Sequence, residues 1–229
     1  MNRTQVIQRI VDQQSARAYL EIGVNDGANF FRIRARHKVA VDPRFNFSMS
    51  RRLRWAVRNF HNVVARFYAL ESDQYFDGKR PDPRFDVVFI DGLHTYQQSL
   101  KDVLHSLDHL HDHGVVVMHD CNPIHPAAGY PAGSFANAVA MNLPGWTGAW
   151  CGDVWKTICY LRSQRKDLHV FVLDCDYGLG VVTRGIPANQ LDLTPDEIDR
   201  MSYDDLANNR QQFLNLKDES YLFDFLDSN

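Results

Sequence analysis

The sequence predicts an α/β domain: a largely parallel sheet with helices on both faces. Three observations carry that prediction. Apolar runs at residues 18–22, 38–41, 85–90 and 114–118 alternate with segments of helical period, the pattern of buried parallel strands joined by crossover helices. An acidic residue closes each run: Glu21, Asp42, Asp91 and Asp120. The first run also breaks into a turn with two glycines four apart, Gly23 and Gly27. At such a turn, a missing Cβ lets a ligand approach the backbone.

The elements follow in order. Val6, Ile7, Ile10 and Val11 share one helical face over residues 4–15. After the first strand a helix is expected over 27–36, whose free N–H groups would face a ligand. The second strand ends at Asp42-Pro43, where proline disfavours further regular structure. Ser48 suits the N-cap of a helix through Arg58, with Leu53, Trp55, Ala56 and Val57 as its apolar surface. A third strand is expected over 63–67, a short helix from Glu71 and a loop over 78–83.

Beyond the fourth strand, Leu100, Val103, Leu104, Leu107 and Leu110 fit a helix over 96–111. Residues 121–151, rich in Pro, Gly, Ala and Asn, have no clear period and read as a substrate or lid loop. A helix over 153–165 and two strands over 168–173 and 178–182 complete the sheet, the strands meeting near Asp176-Tyr177-Gly178. Thr194-Pro195-Asp196-Glu197 starts a helical tail.

The chain has 229 residues, 45% hydrophobic and 23% charged, proportions of a soluble globular protein. No run approaches the roughly 20 apolar residues of a membrane span, and residues 1–5 lack a signal-peptide pattern. Cys121, Cys151, Cys159 and Cys175 form no C-x-x-C pair and read as free thiols of a cytoplasmic protein. Net charge is −3, unevenly spread: residues 1–69 balance to +9 and residues 186–229 to −7. Packing of the two ends near one another, or against a second copy, explains this better than nucleic-acid binding, because no nucleic-acid motif accompanies it.

Ligands of open α/β sheets bind at the carboxyl ends of the strands, where this chain puts its four acids. The spacing Glu21-x-Gly23-x-x-x-Gly27, with Asp42 and Asp91 ending later strands, resembles class I S-adenosylmethionine-dependent methyltransferases. Asn25 stands where that family usually has its middle glycine, and asparagine tolerates positive φ. A narrower resemblance lies in Ile90-Asp91-Gly92-Leu93-His94-Thr95-Tyr96 and in His119-Asp120. Both are similar to the bacterial metal-dependent sugar O-methyltransferase and cephalosporin-hydroxylase-like subgroup, methyltransferase family 24 type.

The resemblance covers roughly residues 15–185. It implies a Rossmann-like doubly wound sheet of seven strands, order 3-2-1-4-5-7-6, the last antiparallel. Residues 1–185 would be the catalytic domain, with 186–229 an acidic helical extension packed on it. Gly23, Asn25 and Gly27 would lie beside the methionine part of the cofactor, Asp42 on the ribose hydroxyls, and Ser72 and Asp73 near the adenine. A vicinal diol offers two donors, which one carboxylate accepts. Glu21 would either hold the methionyl ammonium through the loop or brace the loop's N–H groups.

The expected reaction is O-methylation of a sugar, glycan or natural-product hydroxyl. It needs a proton removed, by a histidine or by a divalent cation acidifying the hydroxyl. Asp91 and Asp120 are hard oxygen ligands suited to Mg²⁺ or Mn²⁺, and His94 is the first candidate base. His119 stands where the subgroup has a further acid, and reads as ligand, base or a strand-end histidine bonded to a loop. The expected partner is a small-molecule or glycan acceptor, with self-association a further expectation from the charge asymmetry. Two rivals are a dinucleotide oxidoreductase, disfavoured by the absence of G-x-G-x-x-G, and a non-catalytic scaffold, disfavoured by the intact Asp91, His94 and Asp120.

His105, His109, His111 and His113 read as an exposed cluster near a helix end. Trp146, Trp150 and Trp155 read as loop packing or as platforms for a ring. Gly178 and Gly180 read as close-packing residues.

Overall fold

A computed structural model describes residues 1–78, 82, 84–187 and 189–228; apart from Gly78 and Asp82, the loop expected over 78–83 lies outside them. The sheet is formed by β1 (Ala18–Ile22), β2 (His37–Val41), β3 (Arg66–Tyr68), β4 (Phe85–Ile90), β5 (Leu110–Met118), β6 (Leu168–Leu173), β7 (Leu179–Arg184) and β8 (Leu216–Lys217). Its order is 3-2-1-4-5-7-6-8. Strand β7 runs antiparallel to both β5 and β6, and the remaining pairings are parallel. This is the seven-strand order expected from the sequence, with one short strand added at the edge.

Register places the site. Ile22 lies opposite both Val41 and Ile90, and Ile90 lies opposite Met118. The residues immediately after this level row are Gly23, Asp42, Asp91 and His119, so four strands deliver their first non-strand residues to one edge. The strands are long enough to be buried on both faces, and alternate side chains enter two cores. Leu20, Val88 and Val116 face α4 (Tyr96–Asp108), α6 (Trp155–Gln164) and the tail helices α7 (Pro195–Arg200) and α8 (Tyr203–Leu214). Tyr19, Phe89 and Val117 face α1 (Arg3–Gln13) and α9 (Tyr221–Asp227).

The tail is therefore part of the packing. Ile198, Leu206 and Leu214 enter the first core, and Leu222, Phe225 and Leu226 enter the second. The two ends of the chain meet: the Met1 ammonium pairs with Glu219, and the Arg9 guanidinium lies 4.5 Å from the centre of the Phe223 ring.

One expected helix is absent. Residues 27–36 form turns and an extended stretch, and the carbonyls of Phe30, Phe31 and Ile33 are taken by side chains rather than by a next helical turn. Asn59 Nδ2 donates to the carbonyls of Phe31 (3.0 Å) and Ile33 (2.9 Å), and Asn62 Nδ2 to that of Phe31 (2.9 Å). The buried Lys38 ammonium donates to the Phe30 carbonyl and, at 2.6 Å, to Asn62 Oδ1. Phe31, Ile33 and Ala35 are all buried, the period of an extended chain rather than a helix. Helical spacing was misread here because Phe30 and Phe31 both go inward, against Phe67, Phe47 and Trp55.

Other departures are smaller. The 121–151 segment contains α5 (Phe135–Met141), capped by Ser134. Helix α4 stops at Asp108, because Leu110 begins β5. Helix α2 (Met49–Arg58) has the expected Ser48 cap but buries no residue fully, and Leu53 and Val57 stay exposed. Strand β8 forms where Asn215, in the left-handed region at φ 47°, ends α8 and turns Leu216 onto β6. Helix α3 (Ser72–Asp77) is short, as expected. No helix among the described residues is long and apolar enough to cross a membrane.

The asparagine ladder under the 27–36 segment gives a direct test. Asn62→Ala removes one of the two acceptors of the buried Lys38 ammonium and one of the two donors to the Phe31 carbonyl, leaving each with a single partner. We expect a loss of about 1–3 kcal/mol in urea unfolding. An alanine at the exposed Asn208 of α8 should change stability by less than about 1 kcal/mol.

Candidate active site

A cavity of about 780 Å³ opens along the aligned strand ends, within the usual size of small-molecule sites. At one end its wall includes Asp42, Ser72, Asp73, Gln98 and Asp102, and at the other Arg3, Asp91, His94, His119, Asp120, Phe135 and Trp150. Gly23 and Asn25 lie on the wall, while Glu21 and Gly27 are not among its lining residues.

The turn after β1 is shaped by contact with β4. Gly23 sits at φ +81°, and a Cβ there would lie 2.0 Å from the Asp91 carbonyl oxygen. Only glycine allows that approach. Asn25, also at positive φ (49°), takes the middle position of the turn without a glycine. Its backbone N–H donates to Asp42 Oδ2 at 2.8 Å, and Arg44 N–H donates to Asp42 Oδ1 at 2.7 Å. Asp42 is thereby held rigidly, and each of its oxygens keeps a lone pair for a ligand.

Glu21 has a different role from a wall residue. Its carboxylate accepts from the Tyr19 hydroxyl and, at 2.8 Å, from Asn29 Nδ2. Asn29 in turn accepts from Thr4 Oγ1 at 2.7 Å, tying the loop to α1. Burial raises the Glu21 pKa to about 7 against the pull of those bonds, and burial likewise lowers that of Lys38 to about 7.

The Ser72–Asp73 end is organised by Gln98 on α4. Its Nε2 donates to Ser72 Oγ (3.2 Å), Asp73 Oδ1 (2.9 Å) and Asp102 Oδ1 (3.0 Å). Burial pushes the Asp102 carboxyl up to about 6, the Ser72 and Gln98 bonds opposing it.

At the other end, charges converge. His94 Nδ1 lies 2.7 Å from the Trp150 carbonyl and 3.2 Å from Asp120 Oδ2, while its Nε2 lies 3.3 Å from Asp91 Oδ1. The ring stacks on Trp150 at 5.4 Å and 27°. Asp120 stands at φ 61°, a left-handed conformation unusual outside glycine. His119 Nδ1 lies 3.3 Å from Asp91 Oδ1 and 3.0 Å from Asp120 Oδ2, and its Nε2 lies 3.5 Å from Asp176 Oδ1. Neither buried nitrogen of His119 makes a hydrogen bond with a protein atom; the carboxylates are close but off the bonding direction.

Arg3 closes the cluster. Its Nη1 donates to Asp91 Oδ2 at 2.6 Å, and its Nε and Nη2 donate to Asp176 at 3.0 and 3.3 Å. Burial disfavours the charge on both histidines, but the carboxylates outweigh it. His94 is raised to about 9 by Asp91 and Asp120, and His119 is raised further by Asp91, Asp120 and Asp176. Burial would raise Asp91, yet His119 and His94 hold it well below the usual carboxylate range.

The donor set is suited to a small divalent cation. Asp91, His94 and Asp120 each bring a ligand atom within 4.8 Å of the others. His119 Nδ1 meets both carboxylates at 3.0–3.3 Å without a hydrogen bond. Separations near 3 Å are those of neighbouring ligands in an octahedron of roughly 2.1 Å radius.

The comparisons with known proteins agree with this layout. Residues 20–121 match a protein-family model described as "Methyltransferase domain". That stretch runs from β1 through the Gly23 turn to the residue after Asp120. Among solved structures, the chain is similar to the O-methyltransferase TomG of Streptomyces achromogenes, solved with SAM. The identity is 13%, covering 79% of this chain and 78% of that one, at a TM-score of 0.55. It is similar also to an O-methyltransferase of Bacillus cereus solved with SAH, at 16% identity, 80% and 82% coverage and a TM-score of 0.51. The SAH-bound methyltransferase PaMTH1 of Podospora anserina matches at 14% identity, 80% and 77% coverage and 0.51. No curated protein sequence matches. At these identities the structural likeness speaks for the fold.

Around the matched stretch the structure adds residues that no sequence motif marked. Gln98 and Asp102 look like ordinary polar positions of α4 until the fold turns them to the cavity. Arg3 lies outside the matched stretch, and Asp176 was visible only as a turn residue. Of the three tryptophans near the loop, Trp150 reaches the site and Trp155 is core. Among the clustered histidines, His105 and His109 pack on Phe76.

The raised His94 pKa ties stability to pH. Since the folded value of about 9 exceeds the ordinary 6.5, the stabilisation is complete below about pH 6.5 and is lost as pH rises through 9. Lys38, lowered to about 7, has the opposite sign over pH 7 to 10.5. The difference in unfolding free energy between wild type and His94→Gln isolates the first effect. In metal-free protein it should shrink steadily between pH 6.5 and 9.5.

Proposed function

We propose that the methyltransferase domain transfers the methyl group of S-adenosylmethionine to a hydroxyl of a sugar, glycan or natural-product intermediate. The observation that carries this reading is the placement of the Asp91, His94, His119 and Asp120 cluster on the same cavity wall as the braced Asp42 carboxylate. One end thus suits the ribose diol of a nucleoside cofactor, and the other suits an acceptor whose proton must leave. The SAM and SAH in the similar O-methyltransferase structures support the choice of cofactor.

In this reading Asp42 receives the two ribose hydroxyls, and Gly23 and Asn25 line the path of the methionyl chain. Ser72 and Asp73, fixed by Gln98, face the adenine. The acceptor oxygen attacks the sulfonium methyl carbon, the carbon–sulfur bond breaks, and S-adenosylhomocysteine leaves with the former bonding pair. His94 takes the hydroxyl proton on Nε2, its Nδ1 proton being held by the Trp150 carbonyl. For that, His94 must start neutral, whereas in the cluster as it stands the carboxylates favour its cation.

Asp91, Asp120 and His119 would hold Mg²⁺ or Mn²⁺. When bound, such an ion supplies Lewis-acid polarisation of the acceptor hydroxyl. Its charge would also compete with the imidazolium protons for the same carboxylates, favouring neutral His94. The acidic helical segment 186–229 acts as an extension that completes the two cores of a catalytic domain spanning 1–185, in a cytoplasmic protein.

Radiolabelled methyl transfer to a panel of hydroxylated sugars should fall at least about 100-fold in both Asp91→Ala and His94→Ala. Full activity in the double variant would sink the site. The metal reading has a separate readout. Histidine NMR titration of EDTA-treated protein should give a His94 pKa near 9, moving below about 7 on adding Mg²⁺ or Mn²⁺. An unmoved titration, with activity resistant to EDTA, would leave histidine alone as the base.

A further inference from the structure

We propose that Arg3 is the receptor for the carboxylate of the cofactor's amino-acid end. The inference rests on the S-adenosylmethionine reading above and assigns a group that reading leaves without a partner. The methionyl end of that cofactor is a zwitterion, and burying its carboxylate requires a cation or several donors.

The cavity wall is rich in acids: Asp42, Glu71, Asp73, Asp91, Asp102 and Asp120. Among the described residues, Arg3 is the sole arginine or lysine in its lining. It stands at the correct end. Arg3 donates to Asp91 at 2.6 Å, and the Asp91 backbone is the surface against which Gly23 packs. Arg3 is therefore next to the glycine turn and remote in the chain from the adenine-side residues. Glu21, the residue expected to serve the methionyl end, is instead consumed by Tyr19 and Asn29 beneath the wall.

The guanidinium is presented as a receptor should be. Asp176 grips Nε and Nη2, and also accepts the Arg3 backbone N–H at 2.7 Å. A guanidinium has five N–H groups. The three side-chain bonds to Asp91 and Asp176 leave one N–H on Nη1 and one on Nη2 to donate to a carboxylate. The side chain is 28% exposed, so little ordering entropy remains to be lost on binding. Beside it, Asp91 supplies the opposite charge, and the Arg3–Asp91 pair is the electrostatic complement of an α-ammonium next to an α-carboxylate. Asp91 serves the two ends with different oxygens: Oδ2 faces Arg3, and Oδ1 faces His94 and His119.

The test compares ligands that differ only at the amino-acid end. Calorimetric titration would use S-adenosylhomocysteine, its decarboxylated analogue S-adenosyl-3-thiopropylamine, and 5′-methylthioadenosine, with wild type, Arg3→Ala, Arg3→Lys and Asp176→Asn. Wild type should bind S-adenosylhomocysteine at least 10-fold more tightly than the decarboxylated analogue. Arg3→Ala should erase that preference while leaving 5′-methylthioadenosine binding within about twofold. Arg3→Lys should restore part of the preference, and Asp176→Asn should reduce it by loosening the guanidinium. Equal weakening of all three ligands by Arg3→Ala would make Arg3 a brace for Asp91 and overturn the proposal. So would a wild type indifferent to the carboxylate, a result that needs no variant to fold. Failure of wild type to bind any of the three would instead bring down the cofactor reading on which this inference rests.

Discussion

Three carboxylates meet at the carboxyl ends of the central strands, and burying them together demands compensating charge. Asp91 comes from the end of β4, Asp120 from the end of β5 and Asp176 from the turn between β6 and β7. Arg3, His94 and His119 supply three positive charges within 2.6–3.5 Å of them. No single element could assemble this set. The first helix, the central parallel strands, the 94–96 turn and the antiparallel hairpin must all close at once. In a low-dielectric site the alternative is an unpaired buried charge, which is far more costly than the loss of any one contact.

That constraint explains several local oddities. Asp120, Asp176 and Tyr177 lie at positive φ, strain that persists only where the surroundings hold it. The Cys121 and Asn122 N–H groups donate to the carbonyls of Gly178 and Tyr177, locking the β5 exit to the hairpin that bears Asp176. Gly152 at φ +59° lies where a Cβ would meet the His94 carbonyl at 1.9 Å, so the long loop returns directly over the site and brings Trp150 with it. The stretch 20–121 is thus completed by pieces from outside it: Arg3, Trp150 and Asp176.

A second balance operates one layer down. Glu21 on β1 and Lys38 on β2 are both buried and both shifted to about 7. Lys38 holds the irregular 27–36 segment through the Phe30 carbonyl and Asn62, and Glu21 holds Asn29 and through it Thr4 of α1. The segment that follows the glycine turn is thereby built from buried polar anchors and aromatic packing. Consequently this part of the cavity wall relies on Asp42 and the backbone of Asn25.

The sequence by itself determined the alternation of buried strands and helices through its apolar runs, and the resemblance to a family implied the strand order. Gly23 and residues of the Ile90–Tyr96 and His119–Asp120 motifs also lie on the cavity wall, since turn and strand-end chemistry is local. Reading 27–36 as a helix failed because local period cannot anticipate side chains from Lys38, Asn59 and Asn62 taking its carbonyls. The Arg3 and Asp176 roles were equally invisible, being set by contacts across 88 and 173 positions of chain. The tail, read as an extension, lends Leu206 and Phe225 to the two cores. What the tertiary structure alone decided is which charges meet: strand register brings Gly23, Asp42, Asp91 and His119 to one edge, and long-range closure adds the cations that make their burial possible.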